Sequence, residues 1–198
     1  MHQFTITLLR HGETTAPSNL NGQTDVPLSL SGEQQMRDTI ANIDNISQII
    51  SSPLMRCAKV AQEYAYQYEL PFTINPEFAE IDFGDWDGQP FDELYRQQPE
   101  LMDKFWHTPW EVTIPNGEQL DAFQRRIDNA WQQLINQQLN SLVVCHGGVI
   151  RYLIAKVLDL GPTNNSHITA LKIDYAAVVK VQITVDEHKN FYSMLLWP

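Results

Sequence analysis

The chain has 198 residues, of which 43% are hydrophobic and 19% charged, with a formal net charge of -11. That length fits one domain over 1–198 with a core of its own, and the excess of acid counts against nucleic acid or an anionic membrane surface as partner, since those need clustered Lys and Arg. No apolar run approaches a membrane span, and Met1-His2-Gln3-Phe4 lacks the basic and hydrophobic regions of a leader, so the expected location is the cytoplasm.

In chain order, residues 4–9 are β-branched and apolar, a predicted buried strand. Ser31-Gly32-Glu33-Gln34 opens a helix along which Met36, Ile40 and Ile43 recur at helical spacing. A short strand at 48–51 follows, then a helix begun at Pro53 with a buried stripe of Cys57, Val60, Ala61, Tyr64 and Ala65. Residues 72–74 form another strand. The stretch at about 89–117 differs, with Pro90, Pro99, Pro109, Pro115 and many aromatics, and reads as an excursion over the sheet carrying a short helix at 91–96. Leu120, Phe123, Ile127, Trp131 and Leu134 mark a long amphipathic helix ending near Asn140. A strand at 142–145, a helix at 149–158 closed by Gly161-Pro162, and strands at 171–175, 178–185 and 192–196 complete the chain, at least two of the last three joined as a hairpin. Strand alternating with helix predicts an α/β fold of three layers, α/β/α, with a mainly parallel sheet and helices on both faces. Cys57, on a helix face, and Cys145, ending a strand, read as small buried thiols rather than a disulfide framework.

Two of the predicted strands end alike. Thr7-Leu8-Leu9-Arg10-His11-Gly12-Glu13-Thr14 puts an arginine and a histidine after the first, and Cys145-His146-Gly147-Gly148 puts a histidine after the later one. Ligands of open α/β sheets gather beyond the carboxyl ends of the strands, so both histidines are expected at one crevice, with Gly12 keeping bulk out of it. Ser51-Ser52-Pro53-Leu54-Met55-Arg56 supplies a second arginine, whose planar fork suits phosphate oxygens. The segment 80–88 holds four carboxylates: Asp85 and Asp87 read as turn residues, and Asp82 as a cap or turn former. Glu80 sits among apolar neighbours, a setting suited to a carboxyl that keeps a proton for transfer. Spacing alone does not separate Glu80 from Asp82. No cluster of metal-ligating residues stands out, and no cofactor is expected.

These segments resemble the histidine phosphatase superfamily, the phosphoglycerate mutase-like or branch 1 family. The likeness rests on Leu9 to Thr14, Ser51-Ser52-Pro53-Leu54 with Arg56, Glu80 followed by Phe83-Gly84-Asp85-Trp86-Asp87-Gly88, and His146-Gly147-Gly148-Val149-Ile150-Arg151, in the family's order and across most of the chain. The resemblance implies that His11 attacks the phosphorus of a phosphomonoester, that Arg10, Arg56 and His146 hold its oxygens, and that Glu80 is the acid and base. It adds Asn19, Gly22, Thr24 and Gly147 as substrate contacts and leaves no role for a metal. Two positions depart from the pattern: Pro17 stands where the family carries an asparagine, for which Asn19 is the expected replacement, and Cys145 where glycine or serine is usual. The segment from Leu20 to Ser29, with Phe105-Trp106-His107-Thr108-Pro109 and Pro115-Asn116-Gly117-Glu118, further resembles the alpha-ribazole-5'-phosphate phosphatases of cobalamin synthesis.

On that likeness the expected substrate is alpha-ribazole 5'-phosphate. A broad-specificity sugar-phosphate phosphatase, a phosphoglycerate mutase and an inactive phospho-ligand-binding relative are the alternatives. Trp86, Phe91, Tyr95, Phe105, Trp106 and Trp110 are candidates for a pocket around a flat base, one or two of them touching substrate and the rest packing. The partner is a small-molecule phosphomonoester, and the sequence leaves a homodimer open.

Overall fold

A computed structural model describes residues 1–161 and 164–196. Its six strands are β1 (His2–Arg10), β2 (Gln48–Ser51), β3 (Phe72–Ile74), β4 (Ser141–Cys145), β5 (Val178–Val185) and β6 (Phe191–Leu196). They form one sheet in the order β3-β2-β4-β1-β5-β6. The first four strands in that order run parallel, and β5 and β6 add an antiparallel hairpin at one edge. The helices are α1 (Leu30–Ala41), α2 (Met55–Gln67), α3 (Phe91–Gln97), α4 (Pro99–His107), α5 (Leu120–Asn136), α6 (Gly147–Val157) and α7 (Ser166–Thr169).

The period-2 alternation of strand side chains splits the core in two. Leu9, Leu142 and Val144 turn to one face, where Met36 and Ile40 of α1 and Cys57, Val60 and Ala61 of α2 cover them. Phe4, Ile6, Leu8, Val143 and Cys145 turn to the other, against Phe123, Ile127 and Trp131 of α5 and Val149, Ile150 and Leu153 of α6. With both faces covered, the central strands carry apolar side chains on both, as buried parallel strands do. Among the described residues no helix is long and apolar enough to cross a membrane.

Several boundaries differ from the sequence reading. Ser29, not Ser31, caps α1, its hydroxyl accepting from the Gly32 amide (3.0 Å). Pro53 lies outside α2, which begins at Met55 after an extended Leu54. α5 stops at Asn136, and α6 begins two residues early, at Gly147. Pro162, predicted to close α6, lies outside the described residues. The excursion carries a second helix, α4, with Pro99 at its start. Residues 171–175 are not a strand. Their backbone runs over the ends of β1 and α6, where carbonyls at 171 and 173 accept from arginine side chains instead of from a neighbouring strand.

Candidate active site

Register brings the motif residues together. β1 and β4 are adjacent and parallel with Arg10 opposite Cys145, so His11 and His146 leave neighbouring strand ends side by side. Their ring centroids are 5.2 Å apart. β2 flanks β4 on the other side and delivers Ser52 to the same level.

The His11 ring lies within hydrogen-bond reach of a carbonyl, with Nδ1 2.8 Å from the oxygen of Gly12. A carbonyl can only accept, so the hydrogen sits on Nδ1 and Nε2 keeps the lone pair. Burial first, then the charges of Arg56 and Arg10, push the imidazole pKa down to about 3. The ring is neutral at neutral pH. His146 is completely buried, and burial followed by the Arg56 charge lowers its pKa well below the usual range. Its Nε2 lies 2.7 Å from Ser52 Oγ. The Cys57 thiol donates to the Cys145 carbonyl (3.4 Å), and burial pushes it up to about 12.

Arg10 donates through Nη1 to the Ile173 carbonyl (2.6 Å) and lies over the Tyr175 ring, 4.1 Å from its centroid. Arg56 is fully buried, with its fork on the carbonyls of Thr24 (2.8 Å), Gly22 (2.5 Å) and Asn21 (3.2 Å). The Asp87 carboxylate shapes that loop, accepting from the amides of Gly22 (3.2 Å), Gln23 (2.6 Å) and Thr24 (2.9 Å). Arg10 Nε and Arg56 Nε are buried donors without an acceptor among the described residues. Charge pairing tells the same story. Arg37, Arg96, Arg125 and Arg126 each have a carboxylate within 4.0 Å, whereas among the described residues Arg10, Arg56 and Arg151 have none.

A cavity of about 230 Å³ opens beside His11. Of the predicted residues, Arg10, His11, Glu80, Asn19 and Gly147 line it; Arg56 and His146 belong to the buried layer next to His11. Gly22 and Thr24 are off the wall; they meet Arg56 through their carbonyls instead. Asn19 lines the cavity beside Pro17 and spends its amide nitrogen on the Gly88 carbonyl (2.8 Å). Gly12 is needed for another reason than the one expected: a Cβ there would stand 2.1 Å from the Gly32 carbonyl oxygen, so it lets α1 approach rather than clearing the crevice. Glu80 is not in an apolar setting. Its Oε2 accepts from the Gly148 amide (2.9 Å) and its Oε1 from the Ile81 amide (3.1 Å), while Asp82 accepts from the Gly84 amide (2.8 Å) as a turn residue.

Two of the six candidate aromatics, Phe105 and Trp106, reach the cavity. Trp86 is buried in the core, Phe91 packs on Trp106, and Tyr95 and Trp110 are exposed. Residues missed from sequence complete the wall: Gln124, Arg151, Tyr152, His167 and Tyr175 among them. Arg151 was findable, since it follows Gly147 by four residues on α6 and so shares its face. Its side chain donates to the Leu171 carbonyl (2.9 Å), and burial lowers its pKa.

Comparison with known proteins gives the family. Residues 6–192 match the Histidine phosphatase superfamily (branch 1). The chain belongs to that family. The histidine phosphatase is 32% identical over 160 residues to the adenosylcobalamin/alpha-ribazole phosphatase of Escherichia coli, covering 77% of this chain and 78% of the relative. Among solved structures it resembles the alpha-ribazole phosphatase from Shigella flexneri, with a TM-score of 0.78, 26% identity, and coverage of 98% and 95% of the two chains. It also shares the fold of mycobacterial glucosyl-3-phosphoglycerate phosphatase, with a TM-score of 0.82, 21% identity, and coverage of 98% and 97%. The α/β, mostly parallel architecture is phosphoglycerate mutase-like, and the protein is a phosphatase.

Proposed function

We propose that this histidine phosphatase hydrolyses a small phosphomonoester through a phosphohistidine at His11. One observation carries the reading: a neutral imidazole with a free Nε2 lone pair stands among guanidiniums whose buried Nε–H groups lack acceptors among the described residues. Such orphan donors have their natural partners in phosphate oxygens.

His11 Nε2 attacks phosphorus in line as the ester oxygen leaves. Arg10 and Arg56 stabilise the charge on the transferring group, and His146, oriented by Ser52, completes its surroundings. Glu80 gives a proton to the departing oxygen. It then takes one from the water that attacks the phosphohistidine, returning His11 to the neutral state with release of phosphate. The two guanidiniums supply the charge that a metal would bring, so turnover is expected to persist in EDTA.

The proposed substrate is alpha-ribazole 5'-phosphate. The Escherichia coli relative supports it, and Phe105, Trp106, Phe123 and Tyr175 give the cavity an aromatic wall for a flat base. Arg151 and Gln124 on the same wall favour a second reading, a broad-specificity sugar-phosphate phosphatase.

The test is phosphate release from alpha-ribazole 5'-phosphate, a panel of sugar phosphates and 3-phosphoglycerate, all in EDTA. Strong preference for the ribazole ester supports the first substrate, and flat activity across the panel supports the second. His11→Ala is expected to abolish turnover and the acid-labile phosphoenzyme. Glu80→Gln is expected to slow phosphoenzyme formation from alkyl esters about 100-fold, the scale of general acid catalysis, with a far smaller effect on p-nitrophenyl phosphate. A phosphoenzyme in His11→Ala, or equal slowing of both ester types, would overturn the assignment of that residue.

A further inference from the structure

The segment that carries Glu80 has no strand partner. Residues 79–83 are irregular, set between two short 3-10 turns at Pro76–Phe78 and Gly84–Trp86. Gln23 reaches it from one side, its Nε2 donating to the Glu80 carbonyl (2.7 Å), and one side chain of α5 binds three of its carbonyls. Arg126 donates through Nη1 to the carbonyls of Glu77 (2.5 Å) and Ala79 (2.8 Å), and through Nη2 to the carbonyl of Glu80 itself (2.9 Å). The rest of the guanidinium is bidentate on Glu118, with Nε on Oε1 (2.7 Å) and Nη2 on Oε2 (2.9 Å). These contacts use all five N–H donors of an arginine. Glu118 closes the brace on the far side of Glu80: its amide donates to the Asp82 carbonyl (2.9 Å), and its Oε2 accepts from the Asp82 amide (3.4 Å).

Among the described residues the Glu80 carboxylate makes one bond to another element, from the Gly148 amide; its other partner is the amide of the next residue. Its position therefore follows from where the 77–82 backbone is fixed. We propose that Arg126, clamped by Glu118, is a positioning residue for proton transfer: it sets the Glu80 carboxylate against the leaving oxygen. The inference rests on reading Glu80 as the proton donor. Lysine cannot take over the role, because three donors on one nitrogen do not span carbonyls along a backbone and a carboxylate together. Displacement of a reacting group by about 1 Å costs on the order of 100-fold in rate.

The experiment follows phosphoenzyme formation in single turnover, from an alkyl phosphate and from p-nitrophenyl phosphate. It compares wild type, Glu80→Gln, Arg126→Lys, Glu118→Gln and the double variant Glu80→Gln/Arg126→Lys. Arg125→Lys, on an exposed neighbour paired with Asp121, is the control. Arg126→Lys is expected to slow the alkyl ester by about 10–100-fold and p-nitrophenyl phosphate far less. Glu118→Gln is expected to follow with a smaller effect of the same pattern. In the double variant, loss of the brace should add nothing to loss of the carboxyl.

Equal slowing on both esters, or losses that multiply in the double variant, would mean that Arg126 only supports the fold, and would overturn the proposal. A leaving-group dependence in Glu80→Gln that is missing from both Arg126→Lys and Glu118→Gln would overturn this inference alone. No dependence in Glu80→Gln itself would overturn the proton-donor reading, and this inference with it.

Discussion

At Gly148 the difference between a hydrogen and a methyl group falls on the Glu80 carboxylate. A Cβ there would stand 2.3 Å from Glu80 Oε1 and 3.1 Å from its Cδ, so the carboxylate would have to swing away from the Gly148 amide that now holds Oε2 at 2.9 Å. The backbone would not object. Gly148 is the second residue of α6, its φ is not positive, and alanine is favoured over glycine in a helix by about 1 kcal/mol. Gly148→Ala is therefore expected to keep or slightly raise the thermal midpoint while turnover of alkyl phosphates falls about 100-fold. Unfolding scans and initial rates on the same preparation check this, and an active variant would show that Glu80 needs no contact with α6. Gly147 lacks this coupling: its Cβ would meet the Arg151 guanidinium at 3.3 Å, where a flexible side chain can give way.

Elements place the remaining groups, and loop 21–24 does so for Arg56. The loop has no regular structure, so its carbonyls are aimed at the guanidinium only because Asp87 gathers the amides of residues 22, 23 and 24 from the other side. Asp87→Asn keeps the shape but replaces one acceptor oxygen by a donor. Charge-assisted hydrogen bonds contribute about 1.5–3 kcal/mol each, so a stability loss of that order is expected. With Arg56 less firmly held, inhibition by inorganic phosphate is expected to weaken about tenfold, one such bond's share of affinity. An unchanged inhibition constant would show that the loop does not govern the anion site. This dependence also explains what was legible in the sequence. The sheet, α2, α5 and α6 announce themselves because apolar periodicity directly encodes burial on a regular element. The strand-end histidines follow, since parallel strands share one carboxyl edge. Asp87 reads only as a turn former, because its partners are backbone amides more than sixty residues away. Residues 171–175 alternate inward and outward as a strand would, but their carbonyls meet Arg10 and Arg151, and no local pattern distinguishes those acceptors from a neighbouring strand. Phe105 and Trp106 of α4, His167 and Ile168 of α7 and Tyr175 of this segment meet on the cavity wall only in the assembled fold.

On the scale of the whole molecule, the site carries a cost that pH can expose. His11 and His146 are both buried and neutral beside guanidiniums, and burial lowers both pKa values, that of His11 to about 3. In the unfolded chain a histidine takes up its proton near pH 6.5. Between 6.5 and 3 the unfolded state thus binds a proton at His11 that the folded state refuses, and stability falls as pH falls through that window. Above 6.5 the term is constant. Its slope approaches about 1.4 kcal/mol per pH unit for each such ring. The net charge of -11 acts in the opposite direction, because acid relieves self-repulsion, so the raw curve of a single protein does not isolate the histidines. Comparison with His11→Gln does. Both chains carry the same charges at pH 7 and differ below it only at residue 11. Urea unfolding at pH 7, 6 and 5, in buffers without phosphate so that no anion offsets the arginines, is expected to give a variant that loses less stability on acidification. The difference should approach about 1.4 kcal/mol per unit. Parallel curves would mean that His11 takes up its proton in the folded protein as readily as in the unfolded chain. The nucleophile would then be neutral only above about pH 6.5, and phosphohistidine formation would fade as pH falls through that value instead of persisting toward acid.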